Sequence, residues 1–124
     1  MSHGAFLRQH SDDPVLASHI MHDYRNADLD PQTRGMLDYA AKLTRDPTSM
    51  QESDVDALRD MDLSDEQILS VCLITCNFNF MTRLADGLGV QLDDGRQEAI
   101  ERWLTGPALE QEWLMKAKSQ RAKV

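Results

Sequence analysis

The chain has 124 residues, 41% of them hydrophobic, and 13 basic against 21 acidic side chains give it a formal net charge of −8. That size suits one domain able to bury roughly 65% of the surface of its unfolded chain, and the composition excludes a wholly disordered protein. The negative balance argues against nucleic-acid binding, which rests on neutralising phosphates, and the sequence has neither a signal-peptide core nor an approach to ~20 consecutive apolar residues, so no membrane partner and a cytoplasmic setting are expected.

The punctuation is helical throughout. Asp12-Asp13-Pro14 predicts a helix start running to about Tyr24, with Leu16, Ile20 and Tyr24 on one stripe. Asp30 reads as an N-cap with Pro31 at the first helical position, and Met36, Leu37, Ala40 and Leu43 form the apolar set before Pro47 closes the helix. A short helix from about Glu52 to Asp60 carries Val55 and Leu58. Ser64 and Gln67 make a capping-box pattern for a long helix that Gly87 is expected to stop in a left-handed turn. A further helix is expected from about Asp94 to Leu104, ending at Gly106, and Pro107 opens a last one with Leu109, Trp113 and Ala117. No alternating strand pattern of useful length appears, so the expected class is all-α, a bundle of about six helices.

The long helix is the most informative segment. On a 3.6-residue repeat it is apolar nearly all round, with Val71 and Phe78 on one side, Leu73, Phe80 and Leu84 opposite, and Ile74 and Met81 at the back. Such a pattern predicts a central buried helix. Its fourth face carries Cys72, Cys76, Asn79 and Arg83, which project within a sector of about 60°. A polar stripe with a buried arginine needs hydrogen-bond partners, and reads either as a structural network or as the wall of a site.

Two cysteines cannot form a disulfide framework, and a reducing compartment keeps them as thiols. Cys72 and Cys76 are four apart on a helix, where Cβ atoms are ~5–6 Å apart while a disulfide wants about 3.8 Å. They also lie beyond the first turn, outside the reach of the helix dipole. The bland reading is a pair of inert small hydrophobes, and Cys76 is the candidate nucleophile of the sharper one. His19, His22 and Asp23 fall within one turn, but histidines three apart on a short helix read as solvated side chains, so no metal is expected there. Lys116, Lys118, Arg121 and Lys123 crowd the last nine residues and leave 9 basic and 21 acidic groups in the first 115, a solvated helix end on an acidic body.

Several segments together resemble the alkylhydroperoxidase-like proteins of the carboxymuconolactone decarboxylase superfamily, in their peroxidase-related branch. They are Leu37-Asp38-Tyr39-Ala40 with Lys42-Leu43-Thr44 and Pro47, Asp54-Val55 with Leu58-Arg59, Leu63-Ser64-Asp65 with Ile68, and Phe78-Asn79-Phe80 with Arg83 and Asp86-Gly87-Leu88-Gly89-Val90. Their order and spacing carry the match over roughly residues 3–92, so a family domain is expected over 1–92 and a C-terminal helical extension over 93–124. The resemblance implies a helical homo-oligomer without metal or flavin that reduces peroxides with thiols in antioxidant defence, served by a thiol reductant. Active members carry a Glu, a Cys-x-x-Cys pair and a following His on or near one helix. The opening Ser2-His3-Gly4-Ala5 with Leu7-Arg8 resembles the end of that motif, and His3 matches its histidine. The cysteines and the glutamate would then precede Met1, so catalysis by the usual route is not expected of this chain. Two readings follow: a thiol peroxidase whose start lies further upstream, or a non-catalytic oligomeric scaffold that keeps only the fold, with apolar surface exposed on the free monomer. Thr82 stands where the family has Asn, and Asp62 where a Gly commonly ends the short helix, a position that Asp tolerates in the left-handed region.

Overall fold

The structure, a computed structural model, describes residues 2–13, 15–91 and 95. The helices expected over 94–104 and from 107 onward, with Trp103, Trp113 and the basic tail, lie outside the described residues. Among those described, five α-helices and two 3-10 turns are present and no strand, so the chain is all-α. It divides into two compact units, one of residues 29–91 and one that holds the described residues before 29.

In the first unit α1 (Ser2–His10) packs against α2 (Leu16–Asp23). The approach is close at Gly4, where an added Cβ would meet Met21 Sδ at 3.1 Å. Phe6 and His10, one turn apart on α1, stack with ring centroids 4.0 Å apart, and His10 Nδ1 donates to the Phe6 carbonyl at 2.8 Å. The helix expected from Asp12 begins later, at Leu16, because Asp13 turns its carboxylate onto the Val15 N–H (2.8 Å) and holds the chain in a turn. Leu16, Ile20 and Tyr24 are all half-buried, while Ala17 and Ser18 are the buried positions.

The second unit is built by caps. Asp30 accepts from the Thr33 N–H (2.9 Å) and hydroxyl (2.6 Å), and with Pro31 at the first position it starts α3 (Pro31–Arg45). The chain then makes a 3-10 turn at Pro47–Ser49, and α4 (Glu52–Arg59) begins with the Asp54 carboxylate accepting the Gln51 N–H at 2.8 Å. Asp62 (φ 63°) ends α4 in the left-handed region: Leu63 N–H reaches the Leu58 carbonyl and Asp62 N–H the Arg59 carbonyl, the paired bonds of a Schellman motif. The motif sets Leu63 against Leu58, and these two with Ile68 are the buried core, flanked by Met36, Tyr39, Val55 and Val71. Gln32 Nε2 donates to the Met61 carbonyl (2.9 Å) and ties the start of α3 to the same turn.

Ser64 and Gln67 cap α5 (Asp65–Gly87) reciprocally, with Gln67 N–H to Ser64 Oγ at 3.2 Å and Ser64 N–H to Gln67 Oε1 at 2.8 Å. The helix runs through Gly87, and the left-handed stop is Gly89 (φ 63°), two residues later than expected. Val90 N–H to the Ala85 carbonyl and Gly89 N–H to the Asp86 carbonyl repeat the Schellman pattern, which puts Gly89 at the one position that needs the positive φ.

The expectation that α5 is a central buried helix is overturned. Only Ile68 on it is buried, and Leu69, Leu73, Ile74, Phe78, Phe80, Met81 and Leu84 are all exposed. The cause is geometric. Within their unit α3 and α4 pack on α5 along the row Ile68, Val71, Cys72, Thr75 and Asn79, which covers one face of a helix that is apolar on three. By length and composition α5 is also the one helix among the described residues that would suffice to cross a membrane, although Asn77 and Asn79 interrupt its apolar run.

Candidate functional site

The polar stripe of α5 straddles the edge of its packed face. Cys72 and Asn79 are half-buried toward α3, whereas Cys76 and Arg83 are exposed. Asn79 Nδ2 donates to Thr44 Oγ1 at 3.0 Å and so bridges α5 to the end of α3. The arginine expected to be buried is on the surface, where Nη1 donates to the Asn79 carbonyl at 3.3 Å, one turn back on the same helix. Its charge stays in water and needs no counter-charge.

Cys72 meets a residue that sequence reasoning did not assign to the site. The phenol of Tyr39, on α3, is pushed up to about 12, first by burial and then by the neighbouring Cys72 sulfur. The Cys76 thiol is raised, first by desolvation and then by the neighbouring Cys72 sulfur. Tyr39, Cys72 and Cys76 thus form a small sulfur–phenol cluster, in which Tyr39 and Cys76 hold their protons rather than release them. A thiol that attacks peroxide must be a thiolate, and the environments that create one are a helix N-terminus or an adjacent cation. Cys76 has neither here. Tyr39 falls one turn before Lys42 on α3, and that spacing was the signal that could have placed it on the packed face.

Beside this cluster a cavity of about 250 Å³ is lined by Gly35, Tyr39, Lys42, Asp54, Leu58 and Met61, among others. Two of its charged groups engage each other: Lys42 Nζ donates to both Asp54 oxygens at 2.7 Å, and this pair with the Gln51 N–H lowers the Asp54 carboxyl. A shallower groove of about 440 Å³ runs over Gln32, Met36, Leu63, Glu66, Gln67 and Ser70. Neither presents a nucleophile with a base in hydrogen-bond reach, the arrangement covalent catalysis needs.

His3 sits exposed on α1, in the first unit. His19 and His22 are half-buried on α2, and the Asp23 beside them is taken by Arg25, whose Nε and Nη2 donate to it at 2.8 and 2.7 Å and hold its carboxyl down to about 2. No group of three or more His, Cys, Asp or Glu suited to a metal occurs among the described residues.

Among the described residues the chain is five capped helices without a strand, and its likeness to solved structures makes the fold alkylhydroperoxidase-like. Two solved structures match it: an uncharacterized peroxidase-related protein from Silicibacter sp. TM1040 (36% identity, TM-score 0.69, covering 76% of this chain and 49% of that one), and an uncharacterized peroxidase-related protein from Ralstonia eutropha JMP134 described as an alkylhydroperoxidase core (33% identity, TM-score 0.66, covering 75% and 49%). The chain belongs to the alkylhydroperoxidase-like superfamily. It spans about half the length of the structures it matches. No protein-family model and no curated protein matches it.

Proposed function

We propose that this chain is an alkylhydroperoxidase-like scaffold that assembles with itself in the cytoplasm and whose own thiols do not reduce peroxides. The observation that carries this reading is the state of Cys76: exposed, mid-helix, and with its thiol raised rather than lowered. Its sole thiol neighbour on α5, Cys72, is four residues away, a spacing that disfavours a resolving disulfide.

A second reading is favoured by the peroxidase-related character of the two similar structures. In it Cys76 is the nucleophile. Its sulfur attacks the peroxide, giving a sulfenic acid and the alcohol or water, and two equivalents of an external thiol return the cysteine with release of a disulfide and water.

One experiment separates the two. Peroxide consumption is measured with dithiothreitol for the chain and for Cys72→Ser and Cys76→Ser, with dimedone labelling in parallel. The scaffold reading expects the same background rate in all three and no labelled cysteine. Turnover that disappears in Cys76→Ser, with dimedone on Cys76 of the parent, would establish the peroxidase reading instead.

A further inference from the structure

Cys72 and Cys76 stand about one turn apart at the rim of the packed face of α5, Cys72 half-buried and Cys76 exposed. The two sulfurs are near enough for Cys72 to raise the Cys76 thiol, and the phenol of Tyr39 lies within electrostatic reach of both. The spacing that disfavours a disulfide suits a bridge one atom longer. A disulfide sets its sulfurs ~2.04 Å apart and wants Cβ atoms about 3.8 Å apart, whereas Cβ atoms four residues apart on a helix are ~5–6 Å apart. One metal ion held between two thiolates, ~2.3 Å from each, lets the sulfurs stand up to ~4.6 Å apart, which spans the helical distance without moving the backbone.

The number and type of donors choose the ion. Among the described residues no group of three or more His, Cys, Asp or Glu suits a metal, so the four ligands of a structural Zn(II) are not assembled. Thiolates are soft donors, and a pair of them without carboxylate or imidazole selects Cu(I) over the hard divalent cations. The surroundings suit the product as well. Two thiolates on one Cu(I) carry a net charge of −1, and residues 67–82 include no acidic side chain to oppose it. Arg83, on the same stripe, turns its Nη1 back to the Asn79 carbonyl, toward the Cys76 end of the helix. The Tyr39 phenol keeps its proton, so it stands beside Cys72 as a hydrogen-bond donor and not as a third ligand.

We propose that Cys72 and Cys76 of one chain form a two-coordinate site for Cu(I). Each thiol releases its proton to water as its sulfur–copper bond forms. Copper enters and stays as Cu(I), so no oxidant or reductant takes part. The site requires neither self-assembly nor peroxide chemistry.

The test is titration of the reduced full chain with tetrakis(acetonitrile)copper(I) under argon, in competition with the chelator ferrozine, followed by X-ray absorption at the copper edge. The expected result is one copper per chain, with two sulfur neighbours and no third ligand. Loss of a ligand should exceed the ~10–100-fold cost of an outer-shell change, so Cys72→Ser and Cys76→Ser should each bind at least about a hundredfold more weakly. Tyr39→Phe should keep the stoichiometry and the two-sulfur signature. If Cys72→Ser loses its helical circular dichroism, the stoichiometry and sulfur count of the parent decide. One copper per two chains, lost in Cys76→Ser but kept in Cys72→Ser, would make the ligands the Cys76 thiols of two copies and overturn the site. Uptake unchanged in either serine variant, a third ligand on the copper, or no copper taken from ferrozine would overturn it too.

Discussion

Leu58→Ala tests whether the small core of the 29–91 unit is what holds it together. Leu58 is 2% exposed, closes the Schellman turn against Leu63 and belongs to the cluster on which Met36, Tyr39, Val55 and Val71 pack. Truncation removes three carbons, about 2.4 kcal/mol of transfer free energy at ~0.8 per methylene, and a cavity term is added to that. Leu58 already borders the 250 Å³ cavity, so the new void opens into existing space and the extra term is small. The expected loss is about 2.5–3 kcal/mol, against a total of ~3–9 kcal/mol for a unit of this size. In urea, with m near 1 kcal/mol/M, the midpoint followed by circular dichroism should fall by roughly 2.5 M. Leu88→Ala is the control, because Leu88 is 72% exposed and its truncation should change stability by less than ~0.5 kcal/mol. Equal midpoints for the two variants would refute the assignment of the core.

Two further outcomes follow from the backbone and the carboxylates. Asp62→Gly removes the strain of a side chain at φ 63° and should raise stability by up to about 1 kcal/mol, while Asp62→Val should lower it by at least as much; a Gly variant that melts earlier than the parent would contradict this. Asp23, held down to about 2, and Asp30, Asp46 and Asp54, all lowered, have folded values below the unfolded value near 3.9, so their contribution is complete above about pH 5 and is lost as pH falls from 4 toward 2. Asp30 and Asp46 are exposed and Asp23 and Asp54 half-buried, so high salt should shrink the decline only in part, and a urea midpoint that stays flat or rises between pH 4 and 2 would be inconsistent with it.

What was legible in the sequence was local. Asp30 with Pro31, the Ser64–Gln67 box and the tolerance of Asp62 for a left-handed turn are decided by a residue and its neighbours within four positions, and the structure contains each of them. Gly87 against Gly89 was not decidable that way, because both glycines fit a stop and only the register of the last carbonyls, Ala85 and Asp86, selects the second. The start at Leu16 was missed for a related reason, since Asp13 serves a turn rather than a cap. Arg83 failed on geometry: four residues in a 60° sector can still straddle the rim of a packed face. Tyr39 and the Lys42–Asp54 pair depend on how α3 and α4 meet, which no periodicity encodes.

The burial of α5 is the larger lesson, and it links the fold to the proposed chemistry. A helix that is apolar on three faces states how much cover it needs and not who supplies it. Within the 29–91 unit α3 and α4 cover one face, and Cys76 falls on the next. If a second copy covers that face, the exposed thiol of the monomer becomes an interfacial one, further desolvated and further from a thiolate. Assembly and peroxide chemistry through Cys76 would then oppose each other. The rate of Cys76 alkylation by iodoacetamide should therefore fall as chain concentration rises through the range of assembly, and in Leu73→Glu, which puts a charge on that exposed apolar face, it should stay constant. An alkylation rate independent of concentration in the parent would mean that Cys76 lies outside the interface, and the opposition between its two roles would disappear with it.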